Sequence, residues 1–155
     1  MRLLKSVLLI AFICSLFCCS QGPNAIYHSY HHVVMPWVRN DTLSFQVSVP
    51  DSLEKYQAFV LIRTMDIYPY KNLAIRVEHD LKDSLLVEID TLFCDLTLKK
   101  DKSWDISEWG GLRQSKILLK DSVLSSFRTL HFKVNHLMEN DSISGINDVG
   151  IIIER

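Results

Sequence analysis

An all-β fold, an antiparallel β-sandwich of about seven or eight strands, is the architecture this sequence points to, and three observations carry it. Apolar residues alternate with polar ones in run after run, the period-two pattern of half-buried strands. No stretch of about 12 residues outside the N-terminal apolar segment shows a 3.6-residue period. The runs are short and separated by turn residues, as in an antiparallel sandwich. A barrel fits the same pattern, and strand order is not legible. The 155 residues, 48% hydrophobic and 23% charged, suit one globular domain.

The first convincing strand spans 42–49, where Leu43, Phe45, Val47 and Val49 alternate with Thr42, Ser44, Gln46 and Ser48. Pro50-Asp51-Ser52 closes it. Ala58-Phe59-Val60-Leu61-Ile62-Arg63-Thr64 reads as a continuous apolar run, which suits a more central strand. Leu73, Ile75 and Val77 alternate again. Leu85, Val87 and Ile89 do the same, but Leu92, Cys94, Leu96 and Leu98 continue in the opposite phase. That slip at Asp90-Thr91 predicts a bulge or a break between two strands. Lys116-Ile117-Leu118-Leu119-Lys120 and the alternating Leu130, Phe132 and Val134 follow. Val149-Gly150-Ile151-Ile152-Ile153 predicts a buried C-terminal strand.

The N-terminus reads as an address. Arg2 and Lys5 precede an apolar segment too short and wrongly flanked to span a membrane, ending in Leu16-Phe17-Cys18-Cys19-Ser20. This resembles a bacterial lipoprotein signal, with Leu16 three residues ahead of Cys19 and the small Cys18 directly before it; an ordinary secretory signal is the alternative. The expected organisation is therefore a signal peptide at 1–18, a lipidated Cys19 and tether at 19–40, and a β-sandwich domain at 41–155. Two or three acyl chains would make anchoring essentially permanent, since each buried CH₂ contributes about 0.8 kcal/mol. Ser20 after the cysteine favours the outer membrane by resemblance to sorted lipoproteins. The absence of an acidic run after Cys19 favours the periplasmic face. Cleavage removes Arg2 and Lys5, leaving 15 basic against 18 acidic side chains. Cys94 would then be the one thiol besides Cys19, with no internal disulfide to form.

The charge balance carries no footprint for nucleic acid. No GxSxG turn, phosphate-binding Gly-rich loop or HExxH motif occurs, so nothing argues for an enzyme and no cofactor is expected. His28, His31 and His32 cluster ahead of the first convincing strand, without the ligand number of a structural zinc site, so no metal is expected. His79 and Asp80 read as a solvated turn at a strand end.

Two connections hold the candidate interaction residues. Tyr68-Pro69-Tyr70-Lys71-Asn72 packs aromatics around a proline between two strands. The longest loop places Trp104 and Trp109 before Gly110-Gly111. Such rings serve three purposes: capping the open end of a core, anchoring a protein interface, or stacking on a glycan.

Together these residues resemble the GldH gliding-motility lipoprotein family of Bacteroidetes. The resemblance runs from about Trp37 to Arg155. It rests on Trp37 ahead of Asp41-Thr42-Leu43-Ser44-Phe45, on Arg63 five residues before Tyr68-Pro69-Tyr70-Lys71-Asn72-Leu73, and on the closing Gly145-Ile146-Asn147-Asp148-Val149-Gly150. It departs at Glu139, where the family often has a basic residue, and in having only Gly110 and Gly111 beside the tryptophans. The resemblance implies a non-catalytic lipoprotein tied to the gliding and associated secretion machinery, with envelope proteins as partners. Arg63, Tyr68, Tyr70 and Asn72 are then the candidates for a family-specific surface. A glycan- or peptidoglycan-binding module using Trp104 and Trp109 is the alternative.

Overall fold

A computed structural model describes residues 25–49, 55–83, 86–96, 104–124 and 128–155. Cys19 and the whole of the signal segment lie outside them, as do Pro50-Asp51-Ser52, Leu85 and Leu98. In chain order the strands are β1 (Ala25–His32), β2 (Trp37–Val38), β3 (Leu43–Val49), β4 (Lys55–Met65), β5 (Asn72–Asp83) and β6 (Leu86–Asp95). They continue with β7 (Trp104–Trp109), β8 (Leu112–Leu124), β9 (Arg128–His136), β10 (Ser142–Ile143) and β11 (Ile146–Glu154). A five-stranded sheet, β1-β11-β4-β8-β7, faces a four-stranded sheet, β3-β9-β5-β6, and β2 with β10 forms a small third ladder. Every pairing is antiparallel.

The alternation read from the sequence is the burial pattern of the sandwich. Phe45 and Val47 of β3, Leu73, Ile75 and Val77 of β5, and Leu130, Phe132 and Val134 of β9 all turn into one core. They meet Ala58, Val60 and Ile62 of β4 and Val149, Ile151 and Ile153 of β11. The last strand runs between β1 and β4, so its apolar run is that of an interior strand. Cys94 is buried in this core as a free thiol, and burial pushes its pKa up to about 12.

Three sequence expectations change. The segment read as tether contains β1, which pairs with β11 along its length, and β2, whose Trp37 is only 1% exposed. The folded unit is therefore under way by Ala25, not residue 41. The loop holding Trp104 and Trp109 is strand β7, joined to β8 by a tight turn at Gly110-Gly111, both with positive φ. At Asp90-Thr91 there is neither bulge nor break. The β5–β6 ladder runs without a shift from Asn72↔Asp95 to His79↔Glu88. The phase change is instead a change of face: Val87 and Ile89 are exposed on an edge strand, while Cys94 and Leu96 point inward.

His79 and Asp80 also differ from the solvated turn expected of them. The His79 side chain is 0% exposed, and its Nε2 lies 2.9 Å from Asp90 Oδ2 on β6. Lys120 Nζ, from the opposite sheet, lies 3.1 Å from the same oxygen. Burial alone would raise the Asp90 pKa, but the hydrogen bonds from His79 and Lys120 outweigh it and hold it below the usual range. The Asp80 carboxylate accepts the backbone N–H of His131 at 2.7 Å, satisfying it where regular β5–β9 pairing stops.

Candidate interaction surface

The end of the sandwich opposite Ala25 is closed by the β4–β5 connection, which carries Tyr68 and Tyr70 from one sheet to the other. Its path is set by backbone bonds: Tyr68 N–H donates to Met65 O at 3.0 Å, and Met65 N–H donates to Gly145 O at 2.8 Å. Tyr68 packs against the core, and its hydroxyl donates to Asn72 O at 2.8 Å, locking the turn that contains Pro69. Burial pushes the Tyr68 phenol above the ordinary tyrosine range. The Tyr70 ring meets Tyr68 edge to face at 5.5 Å, and its hydroxyl accepts from Asn140 Nδ2 at 2.5 Å.

Beside this turn β9 ends at His136 and the chain peels away through Leu137 and Met138, so β5 loses regular pairing there. The exposed β5 backbone is served locally. Leu137 N–H donates to Ala74 O at 2.8 Å, and the Met138 sulfur accepts from Ala74 N–H at 3.4 Å. The result is a groove of about 770 Å³ lined by Tyr70, Asn72, Ala74, Phe93, Leu137 and Met138. Phe93 is 75% exposed and stands directly across from Ala74, whose small side chain leaves the groove open.

The other candidates do not join this groove. Arg63 lies on the outer face of the five-stranded sheet. It sits 3.7 Å over the Tyr30 ring, donates from Nε to Gln114 Oε1 at 3.0 Å and lies 3.6 Å from Asp148 Oδ2. Tyr30 OH reaches the same Gln114 oxygen at 2.6 Å. Gly150 makes this possible, because a Cβ there would stand 2.6 Å from the Tyr30 ring. Arg63 is thus a strut fastening β1 across β11 to β4 and β8. Trp104 and Trp109 occupy opposite ends of β7, paired with Ile117 and Leu112.

The histidine run is dispersed along β1. The His28 ring contacts Tyr30, His31 contacts Phe45, and His32 Nδ1 lies 3.3 Å from Asp148 Oδ1. Among the described residues no group of three His, Cys, Asp or Glu side chains gathers as a metal site would require.

Sequence reasoning missed His136, which is wholly buried beneath Trp37. Its Nε2–H donates to Trp37 O at 3.2 Å, while Nδ1 has no partner among the described residues. Burial depresses its pKa, and Arg39 adds to the effect against the raising influence of the Trp37 carbonyl. As pH falls through about 6.5, the unfolded chain takes up a proton that the folded chain refuses. Stability is therefore full above that range and is lost toward the depressed folded value. Thermal unfolding should show a lower Tm at about pH 5.5 than at about pH 7.5, with the slope reduced in His136→Gln. A Tm that does not change over this interval would contradict the assignment.

Similarity to known proteins extends along nearly the whole chain. A family profile described as GldH lipoprotein matches residues 25–153. The chain is 26% identical to the gliding motility lipoprotein GldH of Flavobacterium johnsoniae, covering 100% of this chain and 99% of that protein. It is also 26% identical to the gliding motility lipoprotein GldH homolog of Christiangramia forsetii, over 100% of this chain and 98% of that one.

Proposed function

Because the chain belongs to the GldH lipoprotein family, we propose that it is a lipid-anchored, non-catalytic component of the envelope machinery that serves gliding motility and its associated secretion. The observation that carries this reading is the end-to-end similarity to two gliding-motility lipoproteins. On this reading Cys19 bears the lipid, and the domain sits on the periplasmic face of the outer membrane. The polar pairs of the domain are committed to structure. The buried His79 is held by Asp90, which also pairs with the partly exposed Lys120, and Asp80 is occupied by the His131 backbone and ring. The partner is an envelope protein that brings an apolar side chain to Phe93 in the groove beside Tyr70 and Asn72. That groove lies at the opposite end of the sandwich from Ala25, where the chain arrives from the anchor.

Two variants test this. Cys19→Ala should lose metabolic lipid labelling and leave the membrane fraction; normal labelling would reject Cys19 as the anchor. Phe93→Glu changes an exposed side chain and should leave the circular dichroism spectrum unaltered. It should abolish in-cell crosslinking to the envelope partner that the native chain captures. Unchanged crosslinking would reject the groove as the docking surface.

A further inference from the structure

The outer face of the four-stranded sheet carries a second groove, of about 410 Å³, which falls within the range of small-molecule sites. Cross-strand register builds its floor. Ser44 on β3 stands opposite Lys133 on β9, which stands opposite Glu78 on β5. One row along, Asn135 on β9 stands opposite Arg76 on β5. Arg39, Asn40 and Thr42, from the stretch between β2 and β3, complete the lining.

The chemistry is one-sided. Arg39, Arg76 and Lys133 line the groove with a single carboxylate, Glu78, and Asp141 lies outside the lining, 3.6 Å from Arg39, in a chain whose net charge is -1. All other lining side chains are amides or hydroxyls. The three cations are differently committed. Arg76 Nη2 lies 2.8 Å from Glu78 Oε1, so that pair largely neutralises itself. Arg39 donates from Nη2 to the carbonyls of Met138 and Glu139 and lies 3.6 Å from the exposed Asp141 carboxylate, holding the turn after β9, while its buried Nε has no partner among the described residues. Lys133 is exposed and, among the described residues, makes no ion pair. Positive charge concentrated in a groove raises the local concentration of anions. Hydroxyl and amide neighbours add hydrogen bonds suited to a hydroxylated ligand rather than an apolar one.

We propose that this groove binds a small soluble sugar through its carboxylate or phosphate group, with Lys133 as the principal contact and Arg76, Asn135, Ser44 and Thr42 around it. The location favours a soluble ligand over a headgroup of the anchoring membrane. β1 rises about 24 Å from Ala25 to His32, and the groove lies toward the His32 end, where β3 begins and β9 finishes. This last point alone rests on the lipid anchor. The binding site does not depend on the docking groove beside Phe93.

Isothermal titration of the full-length lipidated chain in neutral detergent tests the proposal, with glucuronate, glucose 6-phosphate, glucose, inorganic phosphate and glycerol phosphate as probes. The two anionic sugars should bind, and glucose should not. Lys133→Ala combined with Arg76→Ala should weaken binding by about tenfold or more, Lys133→Arg should retain most of it, and Phe93→Glu should leave it unaltered. The proposal fails if neither anionic sugar binds below about 10 mM, or if glucose binds equally well. It also fails if the double variant binds as the native chain does. Tighter binding of inorganic phosphate or glycerol phosphate than of both sugars would overturn the assignment to a sugar.

Discussion

Gly145→Ala is expected to cost about 3 kcal/mol or more of folding stability, measured by chemical denaturation. Two effects add. Gly145 has a φ of +93°, a conformation that L side chains rarely adopt. A Cβ there would also stand 2.6 Å from both the nitrogen and the Cα of Tyr68. That backbone cannot easily yield, since Tyr68 N–H is bonded to Met65 O, and Met65 N–H to Gly145 O. Displacing Tyr68 would carry the Tyr70 ring with it and disturb the Phe93 groove. Gly110 and Gly111 supply the control. Their φ values are +59° and +78°, but an added Cβ meets nothing within 4 Å. Alanine at either should cost only the backbone penalty, about 1 kcal/mol. Equal losses at Gly145 and Gly111 would show that contact with Tyr68 is unimportant.

Trp37→Ala should lower stability by about 3–5 kcal/mol, the range for deleting a large buried aromatic. The ring is enclosed in the core, contacts His136 edge to face at 5.2 Å, and donates from Nε1 to Asp41 O at 3.0 Å. Trp37→Phe retains much of the buried area and loses the hydrogen bond, so its loss should be distinctly smaller. A loss under about 1 kcal/mol for Trp37→Ala would mean that this segment is peripheral.

The Trp37 result bears on what was legible in advance. Strands β3, β4, β5, β8, β9 and β11 could be read because each buries aliphatic side chains at fixed intervals. β1 could not. Its Tyr27-His28-Ser29-Tyr30-His31-His32 run has few aliphatic residues, and its attachment comes from the β11 backbone and the Tyr30–Arg63 contact. Gly110-Gly111 between Trp109 and Leu112 was a hairpin signal, obscured because WDISEW lacks a clear aliphatic alternation. On β6 the exposed Val87 and Ile89 imitated a second strand. Hydrophobicity reports burial only when an apolar side chain has a neighbour to cover it.

The candidate site divided in the same way. The Tyr-Pro-Tyr turn and Asn72 are neighbours along the chain, and they remain together in the structure. Arg63, only five residues before Tyr68, belongs to a different face. Lys133, Arg76 and Arg39 are far apart in sequence, yet two strand pairings and one turn bring them to a single groove. Local order of residues decides the rhythm of the strands, because the pleat sends successive side chains to opposite faces whatever lies beside them. It does not choose the neighbours, since many pairings of apolar strands bury similar area. Only the assembled sandwich, where register and packing must be satisfied at once, decides which side chains share a surface.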